Sequence, residues 1–381
     1  MSYQVFENKN KCCGCTACQS ICPKNAITMK ADDEGFLYPF VNDDLCVKCG
    51  LCKKVCDFAK DHEKDGKTPK VYAVKAEDSI RKGSASGGMF ALLSEDVLAR
   101  GGAVYGAAFD KNLRVCHTRA TDKESRDMQR GSKYVQSDKR DSFKMVKSDL
   151  ERGMPVVFSG TTCECAGLMS YLSGTDTSQL IVADVLCHGT PSPLIFEEYI
   201  KFVEKKSGKK VACYHSRAKD KGYIFNERID FTDGSADIKT LVAESWSHVF
   251  YSNNALRPSC YDCKYTGLPR PSDITIADFW GIDGIAPDFY DKKGISLVII
   301  NSDKGQLFFD SIKDTLTLSE QTFEKAVIKN PNLVKPTKRP EGREQFWKSY
   351  RERGGDYIFS YYGGYNIKRK IKRIIKKLLH R

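Results

Sequence analysis

Eight cysteines near the start of the chain fall into two identical quartets, Cys12, Cys15, Cys18 and Cys22, then Cys46, Cys49, Cys52 and Cys56. Both have the spacing C-x2-C-x2-C-x3-C, and they lie 34 residues apart. Thiolates spaced by two residues can each hold one corner of an iron-sulfur cubane, and a fourth, one residue further on, reaches a neighbouring cluster. The expectation is two 4Fe-4S clusters, one on Cys12, Cys15, Cys18 and Cys56 and the other on Cys46, Cys49, Cys52 and Cys22. A structural zinc site would instead use two pairs separated by a longer spacer. Pro23 follows the first quartet, whereas Asp57 follows the second; the difference removes no ligand. Cys13 does not fit the spacing and reads as a bystander. A dicluster unit moves single electrons and has no substrate chemistry, so the remaining chain must supply that.

Further along, residues 83–90 (GSASGGMF) form a Gly/Ser loop running into a helix. The free backbone N–H groups at such a helix start favour a phosphate, although a plain N-cap turn would look similar. Neither G-x-G-x-x-G nor G-x-x-x-x-G-K-[ST] occurs, which leaves a Rossmann fingerprint and a P-loop unsupported. Cys260 and Cys263 form a C-x2-C pair, and Cys163 and Cys187 each follow an apolar strand-like run, at loop positions that often present ligands. His188 is a weak catalytic candidate as a proton donor, and a loop histidine with a structural hydrogen bond is the preferred reading. Glu164 reads as a solvated loop carboxylate, Asp273 and Asp278 as strand-flanking residues, and Cys116, Cys165 and Cys213 as small apolar packing.

The elements that must position these residues belong to an α+β fold, in which a small dicluster ferredoxin-like domain is followed by a larger mixed α/β domain. Residues 1–60 hold nine of the 16 cysteines and form the first unit, 61–70 read as a charged linker, and 71–330 form the larger domain. Strands are expected at VYAVKA, AVYGAAF, VVF, 180–186, 223–231, 273–280 and 295–300, and helices at 88–99, 194–206 and 306–314. Residues 331–365 form an extension of uncertain structure. With 381 residues the chain can bury a core without disulfide staples, so the thiols read as ligands or redox centres of a reducing cytoplasm. No signal-peptide pattern and no run of about 18 apolar residues occurs, which makes secretion and membrane spanning unexpected. The net charge is +12, but the last sixteen residues supply eight Lys or Arg and no acid, leaving +4 elsewhere and little support for nucleic-acid binding.

Taken together, RGSKYVQS at 130–137, PVVFSGTTCECAGL at 155–168, DVLCHGTPSP at 184–193, CYDCKYTGLPRPSDITIADFWG at 260–281 and GISLVII at 294–300 resemble the coenzyme F(420) hydrogenase/dehydrogenase beta-subunit family, in matching order. The resemblance implies an FAD-containing iron-sulfur oxidoreductase. It assigns FAD to Ser86, Gly87, Gly88, Gly131, Ser132, Lys133 and Tyr134, and a third 4Fe-4S cluster to Cys163, Cys187, Cys260 and Cys263. One departure is Thr161-Thr162-Cys163-Glu164, where the family carries Thr-Pro-Cys-Gln.

A flavin exchanges a hydride as two electrons and passes them singly to clusters, so the two halves together make a two-to-one electron converter. The leading expectation is a cytoplasmic flavoprotein oxidoreductase with a ferredoxin-like or deazaflavin donor and a small organic substrate. The alternatives are an electron-transfer subunit serving a separate catalytic partner and a zinc-binding interaction module. In the tail, 366–381, Ile367, Ile371, Ile374, Ile375, Leu378 and Leu379 share one helical face opposite Lys and Arg. Such a helix packs on protein or lies on an anionic membrane at its inner face; the membrane is the preferred reading.

Overall fold

The computed structural model describes residues 4–62, 68–219 and 226–366. In the cysteine unit, β1 (Ile27–Ala31) and β2 (Leu37–Val41) form an antiparallel hairpin with Ile27 opposite Val41. Short helices Ala17–Ser20 and Leu51–Lys54 sit at equivalent places in the two quartets. Each ligand loop contains two left-handed residues, Gly14 and Thr16 in the first and Lys48 and Gly50 in the second, two and four positions after the leading cysteine. These turns curl the backbone so that sulfurs two residues apart face one cavity instead of alternating sides.

The larger unit is built on an eight-stranded mixed sheet. Its strands are β3 (Lys70–Lys75), β4 (Ala103–Phe109), β5 (Val115–Ala120), β6 (Val156–Thr161), β7 (Leu180–Val185), β11 (Ile274–Asp278), β12 (Ser296–Ile300) and β13 (Thr317–Gln321). They are ordered β13-β3-β12-β11-β7-β6-β4-β5. A smaller antiparallel sheet joins β8 (Val211–Ala218), β9 (Asn226–Phe231) and β10 (Ala236–Ile238). The central strands are apolar on both faces, as in Val156, Val157 and Phe158, because helices cover both sides. β4, β6, β7 and β11 run parallel, and β3 has the same direction because β12 is antiparallel to both β3 and β11. The segments that leave the carboxyl ends of β3, β6 and β7 therefore emerge on one edge of the sheet. That edge is where open α/β sheets place their ligands.

Most expected strands and the helix Met89–Ala99 are present; of the strand expected at 223–231, residues 223–225 lie outside the described residues, as does nearly all of the tail helix. Two differences matter, while the expected helix at 194–206 is present. Cys163 is not on a loop: it occupies the first turn of the helix Thr162–Tyr171, which starts at a capping box made by Thr161 and Glu164. The extension contains the helix Arg343–Tyr361, kinked at Gly354. The helix Pro193–Ser207 begins at Ser192, whose hydroxyl accepts from Ile195 N, and ends at Gly208 with φ 70°.

The cysteine unit is packed onto the larger one through a shared core. Ala17, Ile27, Val41 and Val55 join Phe143, Val146, Phe158 and Leu168 in one apolar cluster. The helix Thr162–Tyr171 approaches so closely that a Cβ on Gly167 would lie 2.7 Å from Cys15 Sγ. On the other side Arg343 of the C-terminal helix forms a buried bidentate pair with Glu34, with Nη1 donating to Oε1 at 2.9 Å, and Ser192 Oγ donates to Glu34 O. Replacing Arg343 with Met strands the Glu34 carboxylate in that contact and is expected to cost about 3–5 kcal/mol, read as a lower thermal midpoint.

Candidate iron-sulfur and flavin sites

Two cavities lie in the cysteine unit, each enclosing about 370 Å³ with its mouth included. One is ringed by Cys12, Cys15, Cys18 and Cys56, the other by Cys46, Cys49, Cys52 and Cys22. The last cysteine of each quartet has crossed to the other cavity. The first, inner cavity is walled by Phe6, Met29 and Phe58. The outer one opens past Pro23, Lys24, Val47, Lys48 and Leu51, with Cys49 exposed at its rim. Among the described residues no three His, Cys, Asp or Glu side chains converge as they would on a single ion. Four sulfurs around a cavity fit a cubane, whose iron atoms stand apart, better than one tetrahedral zinc with sulfurs about 2.3 Å from it.

The cysteines of the larger unit also meet. Cys187 feels Cys260, Cys163 and Cys263 as neighbouring charges, and burial pushes its thiol well up. Cys260 Sγ accepts from Thr190 N at 3.3 Å, which ties the C-x2-C segment to the loop after β7. Thr161 Oγ1 lies 3.3 Å from Cys163 Sγ. This third quartet adjoins the inner cavity.

Cys13 links them and is no bystander. It packs among Cys15, Cys56, Cys163 and Cys263, and its thiol hydrogen-bonds to both Cys15 and Cys163. These bonds hold the proton on Cys13, whose pKa rises well above the ordinary value, and bring Cys15 down to about 7 and Cys163 down as well. Cys15 and Cys163 are thus both biased toward the thiolate that binding a metal would require. Beside them Lys139, fully buried, donates to Glu164 Oε1 and to Ser137 O, each at 2.6 Å. Glu164 is therefore buried, not solvated: desolvation opposes its charge, but Lys139 and then His117 outweigh it and hold the carboxyl at about 2. The Thr-x-x-Glu pattern of the capping box was the available sequence signal for this placement.

The Gly-rich loop follows the short helix Asp78–Lys82 beyond the carboxyl end of β3 and meets the 130–134 segment. Arg130 donates to Ser84 Oγ at 2.8 Å and to Ile80 O at 2.7 Å. Gly87 is required by packing, since a Cβ there would lie 2.3 Å from Val74 O. Lys133 donates to the carbonyls of Arg130 and Gly131, both at 2.9 Å, and desolvation lowers its pKa to about 8. Tyr134 packs against Phe250 with ring centroids 4.9 Å apart and the planes tilted by 36°. Lys219 donates to the carbonyls of Arg81, Ser86 and Lys293 and is held near 7 by desolvation, then by Arg81, Arg217 and Arg130. Mutually repelling cations beside a helix start fit a bound diphosphate, which would relieve them. From β3 to β7 is three strand spacings, roughly 14 Å, so this loop and Cys187 share one sheet edge.

His188 has a partner for each ring nitrogen, Asn253 Oδ1 at 2.7 Å and Asn332 Oδ1 at 3.3 Å. Asp273 is buried, accepting from Val182 N and Ser302, and Asp278 pairs with Arg217. Cys116 and Cys165 are fully buried, and Cys213 is half-buried.

The crossed ligand sets can be read separately. Cys22→Ser is expected to weaken the outer cluster and Cys56→Ser the inner one, each losing about four iron atoms at most. Iron analysis with electron paramagnetic resonance should then show two different signals disappearing.

Comparison with known proteins bears on both units. Residues 11–59 match the 4Fe-4S dicluster domain, and residues 153–326 match the family described as the C terminus of the coenzyme F420 hydrogenase/dehydrogenase beta subunit. An uncharacterised ferredoxin of Methanocaldococcus jannaschii is 39% identical over 46 residues, which are 12% of this chain and 25% of the relative, so the chain spans about a quarter of that protein. A second uncharacterised ferredoxin of that organism is 29% identical over 56 residues, 15% of this chain and 71% of the relative. A chain of the F420-reducing NiFe hydrogenase complex from Methanosarcina barkeri superposes with a TM-score of 0.46 at 15% identity, covering 78% of this chain and 92% of that one. The chain thus carries a 4Fe-4S dicluster domain at 11–59 and, at 153–326, a segment that matches the C-terminal domain of the coenzyme F420 hydrogenase/dehydrogenase beta-subunit family.

Proposed function

We propose that this protein is an iron-sulfur flavoprotein oxidoreductase that carries electrons between a one-electron donor at its surface and FAD at the sheet edge. The observation that carries this reading is the order of the sites: an outer cysteine quartet at the surface, an inner quartet behind it, and a body quartet reached through Cys13. The bound clusters would supply single-electron storage and FAD the conversion to two-electron chemistry. Ser86, Gly87, Gly88, Gly131, Ser132, Lys133 and Tyr134 would hold the FAD, with Lys219 bracing the loop through the Ser86 carbonyl. A ferredoxin-like protein or a deazaflavin is the donor in this reading, and a small organic molecule the substrate.

A second reading is an electron-transfer subunit that serves a separate catalytic partner. It is favoured by Leu45, Val47 and Leu51, which stand exposed beside the outer cavity as a protein-docking surface would. Turnover by the isolated chain separates the two readings.

FAD should copurify, and Lys133→Ala should weaken its retention without lowering iron. Because a bound diphosphate favours charged Lys219, FAD affinity should fall as pH rises between about 6 and 8, and Lys219→Met should flatten that dependence; fluorescence titration measures both. Protein that holds iron but never flavin would refute the flavoprotein reading.

The basic amphipathic segment lies outside the described residues apart from Asn366. We propose that it attaches the protein to an anionic membrane surface. No helix among the described residues is long and apolar enough to cross one. Deleting 366–381 should abolish salt-sensitive co-sedimentation with anionic vesicles and leave iron unchanged; equal binding by the truncated protein rules the attachment out.

A further inference from the structure

Five arginines are buried among the described residues: Arg81, Arg126, Arg257, Arg270 and Arg343. Four have carboxylate partners, in Asp291, Glu95 and Asp127, Asp184, and Glu34 respectively. Arg257 is 1% exposed and forms no ion pair with a carboxylate. Its Nε donates to Cys12 O at 2.8 Å, Nη1 to Gln136 Oε1 at 3.3 Å, and Nη2 to Cys12 Sγ at 3.6 Å. The ring of Tyr38 lies 4.0 Å from the guanidinium carbon. A buried cation without a counter-charge is strongly destabilising. Here the available negative charge is sulfur.

The room for this guanidinium is built into the ligand loop. A Cβ on Gly14 would lie 2.6 Å from Gln136 Nε2 and 3.0 Å from Arg257 Nη1, so the glycine between Cys13 and Cys15 admits the arginine to the back of the inner cavity. Arg257 O also accepts from Cys260 N at 2.9 Å, which fixes the guanidinium between the inner quartet and the body quartet. The outer cavity has no counterpart: its lining cations, Lys24 and Lys48, are exposed, and solvent and salt screen them.

We infer that Arg257 is a positioning residue whose counter-charge is the thiolate-bound inner cluster, and that it raises the reduction potential of that cluster relative to the outer one. The inference rests on the cluster assignment proposed above. Cluster potentials follow net charge, hydrogen bonds to sulfur and solvent exposure. Burial makes adding an electron to a net-negative group harder, so the inner site would otherwise be the more difficult of the two to reduce. The guanidinium offsets this by Coulomb attraction in a low dielectric and by its hydrogen bond to Cys12 Sγ. One electron leaves the outer site and enters the inner one, with no bond or proton exchanged, and the external one-electron donor replaces it. With Arg257 in place that transfer is no longer opposed by burial.

The test is an anaerobic redox titration of the reconstituted full chain followed by electron paramagnetic resonance, with the inner signal assigned by its loss in Cys18→Ala. Arg257→Gln should shift the inner reduction equilibrium at least tenfold toward the oxidised form, a fall of 59 mV or more for one electron, and leave the outer signal in place. Arg257→Lys, which keeps the charge, should recover most of the shift. An unchanged inner potential in Arg257→Gln overturns the inference while the clusters themselves stand. Wild-type protein that binds no iron overturns the cluster assignment as well, and shows it before any titration. If Arg257→Gln loses the inner cluster, the cluster-free proteins decide: the variant, relieved of an uncompensated buried charge, should melt no lower than the wild type, and a lower midpoint overturns the inference.

Discussion

The close approach of the helix Thr162–Tyr171 to the Cys15 loop is the contact on which the arrangement of sites depends. It exists because residue 167 is a glycine: any side chain there would collide with Cys15. Cys163 lies one helical turn before that glycine and so comes alongside the ferredoxin-type ligands, with Cys13 between. The apolar cluster around Phe143, Phe158 and Leu168 holds the approach in place, and the pair Arg343–Glu34 anchors the opposite side. Cysteine spacing alone makes the two ferredoxin-type quartets; this contact sets them beside the cysteines of the larger unit.

Bringing twelve cysteines into so small a volume raises an electrostatic problem, since thiolates in a low dielectric repel one another. The structure meets it asymmetrically. Near the inner and body quartets stand Arg257, Lys139 and the Cys13 thiol, all buried, with the carboxylates Glu164, paired to Lys139, and Asp57, which accepts from Tyr265. Around the outer quartet the compensation comes from solvent and exposed lysines. The same asymmetry separates a surface suited to exchange with a carrier from an interior suited to holding charge. Beside the Gly-rich loop, cations gather again: Arg130 and Arg217, paired with Asp127 and Asp278, stand near Lys219.

The cluster ligands were legible because they are local: a loop of a few residues with left-handed turns at Gly14 and Gly50 needs little from the rest of the fold. Strands with apolar runs, such as 156–158 and 180–185, were legible for the same reason. β5 and β8 were not, because VCHTRA and VACYHSRA carry His, Arg and Ser where period-two apolarity would mark a strand. The helix Thr162–Tyr171 was hidden by its two cysteines and glycine, although its Thr-x-x-Glu start was visible. Arg257 carries no local signal at all. Its significance lies in what it lacks, and a missing carboxylate partner becomes visible only once the chain is folded.

The proposed electron path requires three four-cysteine sites in sequence from the surface to the sheet edge. The most direct measurement is iron and acid-labile sulfide per chain in anaerobically prepared protein. Three cubanes give about twelve of each. About eight would leave the body cysteines a structural role, and zinc in place of iron would contradict the account altogether.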